Sequence, residues 1–295
     1  MKKSRRILSR RLGRHFKIIV EHLKAPAIIL TPALKLTGLY ERGFYNASRL
    51  RRCEFSLSFA VLPPAFDGYR LLVLSDLHID GPLPIAEQVH ALTQDVSFDL
   101  VLLLGDFRRK ISGPHRPAVQ QTRRLLADLR PRDGFAAVRG NHDSPALMTE
   151  LQEAGIDVLT NRHCVIRRDG QAIWILGVDD PHYDRADDLA AAASGVPADG
   201  FKILLAHTAE LFREAAASGV DLYLCGHTHG GQICLRNGRP IITNARAPRA
   251  WSYGFWHYRN MTGYTSSGVG CSSVPVRFNC PPEIVLITLR RKVTQ

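Results

Sequence analysis

The chain has 295 residues, a hydrophobic content of 45% and a formal net charge of +12. This length suits one large domain or one domain with an appendage, and the hydrophobic content is ordinary for a chain that buries a full core. No run of 18 or more apolar residues occurs, so the sequence predicts no helix that crosses a membrane. The six cysteines show no C-x-x-C spacing and are expected to be free thiols, mostly inside the core.

The positive charge is concentrated at the N-terminus. Residues 1–52 contain 14 Lys and Arg residues and two acidic residues, a net charge of +12. Residues 53–295 contain the other 25 basic and 25 acidic residues, so their net charge is zero. We therefore expect a basic amphipathic arm with a linker over residues 1–52 and a neutral domain over residues 53–295. An anionic partner would be a partner of the arm.

Residues 4–24 have the pattern of an amphipathic helix, because apolar residues recur at helical spacing and cations lie on the opposite side. The apolar stripe consists of Leu8, Leu12, Phe16, Ile19 and Leu23, and the cations are Arg6, Arg10, Arg14, Lys17 and Lys24. Such a helix suits an anionic membrane surface, where each nearby cation contributes about 1 kcal/mol. A helix docked on its own domain, a nucleic-acid-binding arm and an organelle transit peptide are the alternatives.

The next segment, residues 25–34, is apolar but contains Pro26 and Pro32. It is too short to span a bilayer as a helix, and the prolines interrupt it. It could dip into the membrane interface beside the basic helix, so that residues 1–34 together would bind an anionic membrane surface. Residues 35–52 have the mixed composition of a linker.

From residue 53 onward, apolar runs of strand length alternate with helical patterns. Residues 54–60 alternate between apolar and polar, which predicts an antiparallel strand with one solvated face. Buried strands are predicted over 69–74, 100–104, 135–138, 202–206 and 222–225, and helices over 85–95, 117–129, 208–217 and after Ser144-Pro145. Further β structure is predicted over 156–159, 163–168, 171–178, 231–235, 262–270 and 283–290. This alternation predicts an α/β fold with a mainly parallel sheet, which binds ligands beyond the carboxyl ends of its strands.

Five of the predicted strands end abruptly in polar residues. These residues are Asp76 with His78, Asp106, Asn141 with His142 and Asp143, His207, and His227 with His229. Because a buried unpaired charge costs several kcal/mol, such groups are expected to converge on something charged.

The types of ligand limit the number and the identity of the metal ions that could be bound. Seven of these nine residues are counted as candidate ligands, two Asp, one Asn and four His, which are too many for one metal ion and fit two ions that share a carboxylate. Imidazole, carboxylate and amide oxygen without thiolate suit Mn, Fe or Zn rather than a structural zinc site. Two such ions close together form the arrangement used for phosphoester hydrolysis.

At these residues the sequence resembles the calcineurin-like metallophosphoesterase family. The family pattern D-x-H, G-D, G-N-H-[DE], a lone H and G-H-x-H is present in that order over roughly residues 69–235. Its blocks are Asp76-Leu77-His78, Gly105-Asp106, Gly140-Asn141-His142-Asp143, His207 and Gly226-His227-Thr228-His229. The resemblance implies a four-layer α/β/β/α sandwich with two central sheets, and two divalent metal ions, with Mn favoured.

The resemblance also implies a role for each residue. The first metal would be held by Asp76, His78 and His229, the second by Asn141, His207 and His227, and Asp106 would bridge them. His142 would contact the phosphate and help the leaving oxygen depart, and Asp143 would orient its ring. Many members read G-D-x-x-[DE], whereas this chain has the cationic run Gly105-Asp106-Phe107-Arg108-Arg109-Lys110. The cation in place of the acid is expected to face an anionic substrate.

Other polar residues near the strand ends lie outside these blocks. We interpret Asp80, Asp179, Asp180 and His182 as loop residues, His115, His163 and His257 as surface or core histidines, and Arg139 as a packing or salt-bridge residue. The aromatic residues Trp251, Tyr253, Phe255, Trp256 and Tyr258 could line an acyl or nucleotide groove or pack in the core.

The C-terminal part is similar to a bacterial subfamily of these enzymes. The similarity is carried by Gly230-Gly231-Gln232, Ser267-Gly268-Val269-Gly270 and residues 275–284. Members of this subfamily often carry an N-terminal membrane-associating segment. Some split UDP-2,3-diacylglucosamine at its pyrophosphate in lipid A biosynthesis, and others are phosphodiesterases. The cationic arm favours the lipid substrate, hydrolysed by an enzyme that is cytoplasmic and peripheral to the inner face of the cell membrane.

Two other functions remain open. One is a broad-specificity, nucleic-acid or cyclic-nucleotide phosphodiesterase whose arm binds nucleic acid. The neutral domain argues against nucleic acid, because nucleases usually show a basic groove near the site. The other is a non-catalytic metal-binding module at the membrane surface, against which the presence of His142 and Asp143 argues, since neither is needed to bind metal.

Overall fold

The computed structural model describes residues 25–292, with side chains from residue 30 onward. The amphipathic helix predicted over residues 4–24 lies outside the described residues and stays a prediction. The helices are α1 (Ala25–Leu36), α2 (Leu39–Ala47), α3 (Ile85–Thr93), α4 (Arg116–Ala127), α5 (Pro145–Glu153), α6 (Leu189–Ala192) and α7 (Phe212–Ala217). The strands are β1 (Arg51–Phe59), β2 (Arg70–Leu74), β3 (Leu100–Leu103), β4 (Phe135–Ala137), β5 (Asp157–Val158), β6 (Arg162–Arg168), β7 (Gln171–Gly177), β8 (Phe201–Leu205), β9 (Leu222–Cys225), β10 (Gly254–Tyr258), β11 (Met261–Thr265) and β12 (Glu283–Arg291). Across this described range, no helix is both long enough and apolar enough to cross a bilayer.

The strands form two six-stranded sheets. The first has the order β1-β12-β2-β3-β4-β5 and the second has the order β10-β11-β9-β8-β7-β6. Strands β2 to β5 pair in parallel, and so do β7, β8, β9 and β11. The central strands β3, β8 and β9 are buried at every position, which is the expected composition of parallel strands covered on both faces.

The two sheets pack face to face, with helices on their outer sides. Leu71 and Val73 of β2 belong to the core between the sheets, together with Ile203 and Leu205 of β8. The alternate residue Leu72 faces the other way, into a core that is closed by α3, α4 and α5. A third core lies between the second sheet and α6 and α7. The predicted α/β/β/α sandwich is therefore confirmed.

The prediction that β1 is antiparallel to its neighbour is wrong. β1 runs parallel to β12, with Arg51 opposite Glu283 and Phe59 opposite Arg291. The strand does alternate between more and less exposed residues, as predicted. Alternation of exposed and buried residues indicates that one face of an edge strand is solvated. It does not indicate whether the partner strand is parallel or antiparallel.

Residues 35–52 are not a linker throughout. They contain α2, and β1 begins at Arg51, two residues before the predicted domain boundary, which stays a prediction. Gly43 of α2 lies so close to Val276 that a Cβ would come within 2.7 Å of the valine Cβ. The Asn46 side chain donates a hydrogen bond to the Arg277 carbonyl oxygen (3.0 Å). Residues 35–52 contain both polar and apolar residues because only one face of α2 packs on the domain.

Two details of the C-terminal β structure also differ from prediction. Residues 231–235 form no strand, only isolated bridges from Ile233 to Phe278 and from Cys234 to Pro240. The aromatic segment instead contributes β10 to the second sheet. Trp256 is buried, and its ring stacks on Trp251 at 4.6 Å, so these two aromatic residues pack in the core. The six cysteines are free, as expected, and four of them are buried.

Candidate metal centre

The predicted ligands lie together at the carboxyl ends of strands from both sheets. In the first sheet, Asp76 and His78 follow β2, Asp106 follows β3, and Asn141, His142 and Asp143 follow β4. In the second sheet, His207 follows β8, and His227 and His229 follow β9. A backbone hydrogen bond joins the two groups, because the His227 N–H donates to the Asp76 carboxylate at 3.0–3.1 Å.

One cluster contains Asp76, His78 and His229, whose ligand atoms lie within 4.8 Å of one another. The Nε2 atoms of His78 and His229 are 3.2 Å apart, and His229 Nε2 is 3.6 Å from Asp76 Oδ1. All three residues are buried. Two imidazole nitrogens and a carboxylate oxygen thus point at a common small volume.

A second cluster contains Asn141, His207 and His227. His207 Nε2 lies 3.0 Å from Asn141 Oδ1 and 3.2 Å from His227 Nδ1. The carboxylate of Asp106 lies between the two clusters, because its Oδ2 is 3.4 Å from His207 Nε2 and 3.8 Å from His78 Nε2. The structure therefore brings all seven predicted ligands together, with Asp106 in the shared position.

Hydrogen bonds on the far side of the rings fix which nitrogen faces the centre. His78 Nδ1 lies 2.9 Å from the Arg108 carbonyl oxygen, and His207 Nδ1 lies 2.7 Å from the Leu104 carbonyl oxygen. For His227 the pattern is reversed, since Nε2 contacts a backbone carbonyl and Nδ1 faces the cluster. A carbonyl acceptor requires N–H on that side, so in the neutral ring the opposite nitrogen presents a lone pair to the centre.

Burial keeps three of these histidines neutral, which is the form that binds metal. Loss of hydration lowers the pKa of His78 to about 3 and the pKa of His227 to about 3. It also lowers the pKa of His229 well below the ordinary value. Nearby histidines add to each of these shifts.

Asp106 is the anionic centre of the site. Burial would raise the pKa of Asp106, but the imidazoles of His207 and His142 outweigh it and hold that pKa well below its ordinary value. Burial would lower the pKa of His207, but the charge of Asp106 raises it to about 10. Burial raises the pKa of Asp76 to about 6, although His207 opposes the shift. The charge distribution thus suits Asp106 as the carboxylate that two cations share.

The backbone at the ligands is strained. Five of the seven predicted ligands have positive φ angles between 41° and 71°, in a region that non-glycine residues seldom occupy. These residues are Asp76, His78, Asp106, His227 and His229. Such strain costs of order 1–3 kcal/mol at each residue and clusters at functional sites. The strain and the convergence of imidazole and carboxylate groups on one small volume both support a site for divalent metal ions.

The role predicted for Asp143, orienting the His142 ring, is wrong. The Asp143 carboxylate accepts hydrogen bonds from the backbone N–H groups of Asp106 (2.7 Å) and Phe107 (2.9 Å). The His142 ring is instead placed by the carbonyl oxygen of Arg109, which lies 2.7 Å from Nδ1. His142 Nε2 lies 3.8 Å from Asp106 Oδ2, so the ring does reach the centre. Asp143 acts on the turn that carries Asp106.

The two arginines of the G-D-F-R-R-K run have different environments. Arg108 is buried, and its guanidinium donates hydrogen bonds to the carbonyl oxygens of His142 and Gly113. It holds loops together and does not face a substrate. The Arg109 guanidinium donates to the Ser273 carbonyl oxygen, and its predicted contact with an anionic substrate stays a prediction.

Sequence reasoning did not place His182 beside the predicted metal ligands, where the structure has it. His182 lies in a loop, as predicted, but its ring is 5.1 Å from that of His227. Its Nδ1 is 2.5 Å from Glu210 Oε1, and Glu210 also pairs with Arg246 (2.7 Å). The available signal was that polar residues follow the carboxyl end of β7, as they follow the other strands. Arg139 forms ion pairs with two aspartates of the same loop, which confirms the salt-bridge interpretation.

Gly226 leaves no room for a side chain, which gives a prediction on metal affinity. A Cβ at this position would lie 1.8 Å from Ser75 Oγ and 2.3 Å from Asp76 Oδ2. We expect Gly226→Ala to displace the Asp76 carboxylate and to weaken Mn²⁺ binding at least about 10–100-fold, the range seen when groups that support a ligand are lost. Isothermal titration of the chelator-treated protein measures the affinity.

The matched control is Gly195→Ala, at a site where a Cβ meets nothing within 4 Å. Its backbone has φ +78°, so the control loses some stability but should keep the wild-type affinity. Equal Mn²⁺ affinities for the Gly226→Ala and wild-type proteins would show that Asp76 is not a ligand.

A family model described as the calcineurin-like phosphoesterase superfamily domain matches residues 69–245. This is more than half of the chain, and the chain belongs to that superfamily. The fold and the site therefore define a metallophosphoesterase, a hydrolase that depends on divalent metal ions.

Two sequence relatives and one solved structure are similar to this chain. Phosphodiesterase YaeI of Escherichia coli K12 is 30% identical over 233 residues, which cover 75% of this chain and 82% of that protein. A transmembrane protein with metallophosphoesterase domain from Danio rerio is 28% identical over 286 residues, covering 90% of this chain and 62% of that protein. The NAD nucleotidase NadN of Haemophilus influenzae is a similar solved structure, with 16% identity and a TM-score of 0.46 over 68% of this chain and 45% of that one. This structural likeness is too distant to carry an argument about function.

Proposed function

We propose that this metallophosphoesterase uses two divalent metal ions, with Mn²⁺ favoured, to hydrolyse a phosphodiester or pyrophosphate bond at a membrane surface. The observation that carries the proposal is the position of Asp106 Oδ2 between two clusters of inward-facing nitrogen and oxygen ligands. A shared carboxylate between two ligand sets is what a two-metal phosphoesterase requires.

The ions, when bound, would supply positive charge for the phosphoryl oxygens and would acidify water at neutral pH. Asp76, His78 and His229 would hold one ion, Asn141, His207 and His227 the other, and Asp106 both. His142 has its Nδ1 proton directed to the Arg109 carbonyl, so its Nε2 is the atom that can carry a proton to the leaving oxygen.

This role of His142 predicts a dependence on the leaving group. We expect His142→Ala to slow hydrolysis of an alkyl phosphodiester by about 10²–10⁴-fold, because a poor leaving group needs a proton. Hydrolysis of bis(p-nitrophenyl) phosphate should fall much less, since nitrophenolate departs without one. The readout is kcat for each substrate, with His257→Ala, a change at an exposed histidine, as control. If kcat falls by the same factor on both substrates, His142 is not the proton donor to the leaving oxygen.

The membrane part of the proposal rests on charge and on a relative. Residues 1–52 carry all of the net charge of +12, and the Danio rerio relative is described as a transmembrane protein. We infer that residues 1–34 bind an anionic membrane surface and that the protein works in the cytoplasm, peripheral to the inner face of the cell membrane.

UDP-2,3-diacylglucosamine is the favoured substrate, because its acyl chains keep it where the arm would hold the enzyme. A turnover screen tests this against nucleotide diesters, cyclic nucleotides and single-stranded DNA, each with Mn²⁺, Mg²⁺ or Zn²⁺. We expect the lipid substrate in vesicles to give the highest kcat/KM. A higher kcat/KM on a soluble diester would support a broad-specificity phosphodiesterase. The Escherichia coli relative is named a phosphodiesterase.

A further inference from the structure

A loop that follows the second metal motif exposes large apolar side chains. In residues 235–242, which we name the apolar loop, Leu235 is 51% exposed, Ile241 51% and Ile242 72%. Single exposed apolar residues are normal, but three within eight residues of one loop concentrate apolar surface there, and concentrated apolar surface is a feature of interaction sites.

The apolar loop connects the N-terminal helices with the metal centre. Just before it, Ile233 packs in a cluster with Leu34 of α1 and Phe278. Just after it, the Asn244 carbonyl oxygen lies 3.1 Å from His227 Nε2. The two ends of the apolar loop are thus held by residues that contact α1 on one side and a predicted metal ligand on the other.

The loop has a defined conformation. The Leu235 N–H donates to the Arg239 carbonyl oxygen (2.9 Å), which closes a tight turn. The Arg249 guanidinium donates to the carbonyl oxygens of Pro240 (3.3 Å) and Ile241 (3.4 Å). The apolar side chains are thus presented on a braced turn.

The charges around the loop favour an anionic partner. Arg236 and Arg239 are exposed, and within residues 25–292 neither forms an ion pair with an acid. The sequence contains no Asp or Glu from residue 222 to residue 282. Apolar side chains flanked by arginine are the combination that binds the headgroup region of an anionic bilayer.

We propose that the apolar loop inserts into the interface of an anionic phospholipid bilayer, as a membrane contact additional to the N-terminal arm. This rests on the proposed action at a membrane surface, and it places the metal centre at the level of the lipid headgroups. A second copy of the chain is a poorer occupant, because a stable protein interface needs roughly 800 Å² from each partner and the loop offers three side chains.

The test is sedimentation of the full-length protein with vesicles of equal parts phosphatidylglycerol and phosphatidylcholine, and with phosphatidylcholine alone. We expect I241S/I242S to lower the partition coefficient on the anionic vesicles about tenfold or more. R236Q/R239Q should lower it on the anionic vesicles only. The control is Val61→Ser, at a 56% exposed valine in the turn after β1, which lies at the end of the first sheet opposite the carboxyl end of β2.

Hydrolysis of soluble bis(p-nitrophenyl) phosphate should be unchanged in all of these variants, which shows that they are folded. If the wild-type protein does not bind the anionic vesicles, the membrane part of the proposed function fails and the loop contact fails with it. If the wild-type protein binds and I241S/I242S binds equally well, only the loop contact is overturned. A loss of self-association in I241S/I242S without a loss of vesicle binding also overturns it and assigns the loop to a second copy.

Discussion

Asp106→Asn protein supplied with Mn²⁺ is expected to hydrolyse bis(p-nitrophenyl) phosphate at least about 10³-fold more slowly than the wild-type protein. Among residues 25–292, Asp106 is the one carboxylate that lies between both predicted metal positions, and metal ions supply several kcal/mol of transition-state stabilisation. An asparagine oxygen can still accept the hydrogen bond from the His142 N–H, which Asp106 Oδ1 accepts at 2.8 Å. The fold should therefore survive while the activity is lost.

The control for this variant is Asp133→Asn, which removes a half-buried carboxylate away from the site. Asp133 accepts a hydrogen bond from the Tyr69 hydroxyl (2.7 Å) and contacts Arg168 (3.3 Å). We expect that change to lower stability and to leave kcat within a factor of a few. An Asp106→Asn protein that keeps more than about a tenth of the wild-type rate in Mn²⁺ would contradict the bridging role, since each factor of ten is 1.36 kcal/mol.

Arg277→Met is expected to lower the free energy of unfolding by about 3 kcal/mol or more. Arg277 is fully buried, and its guanidinium donates to the carbonyl oxygens of Ser267 (2.7 Å), Gly268 (3.1 Å) and Gly270 (2.6 Å). Methionine removes a buried charge, which is favourable, but it leaves several buried carbonyl groups without donors. We expect the second effect to dominate, because each such group costs about 1–3 kcal/mol.

The same change should weaken Mn²⁺ binding about 10–100-fold, as loss of a group behind a ligand does. Arg277 Nη2 lies 3.5 Å from His229 Nδ1, and the segment that Arg277 holds packs against Asp76. Urea unfolding and metal titration measure the two effects. Arg277→Lys should not restore either, because a lysine cannot reproduce the planar fork.

Arg290→Met is the matched control. Arg290 is exposed and lies 3.7 Å from the Asp67 carboxylate, so its loss should change stability by less than about 1 kcal/mol. If Arg277→Met and Arg290→Met unfold at the same urea concentration, Arg277 does not organise the site as described.

That the predicted ligands converge could be foreseen from the sequence because the signal is local. Each ligand follows a short apolar run, and a polar residue directly after a buried strand is visible in the order of residues alone. The alternation of strands and helices predicted an α/β fold with a mainly parallel sheet, and the family resemblance implied the two sheets in four layers.

Contacts between distant segments could not be predicted. Arg277 reaches His229 across 48 positions, and Glu210 reaches His182 across 28, and neither pair forms a pattern in the chain. Asp143 belongs to a recognisable motif, but its acceptor role depends on backbone groups 36–37 residues upstream. The predicted direction of β1 was wrong for a related reason. Alternation of apolar and polar residues shows which face of a strand is solvated, whereas the direction of pairing depends on β12, which lies near the other end of the chain.

The central claim is that two divalent ions at this site carry the hydrolysis. The most direct measurement is a titration of Mn²⁺ into chelator-stripped protein, following the initial rate on bis(p-nitrophenyl) phosphate and the metal bound per chain. We predict a rate that rises from background to a plateau as two equivalents bind, and a return to background when chelator is added. A rate that is the same in chelator and in Mn²⁺, or full activity in protein that binds no metal, would contradict the account.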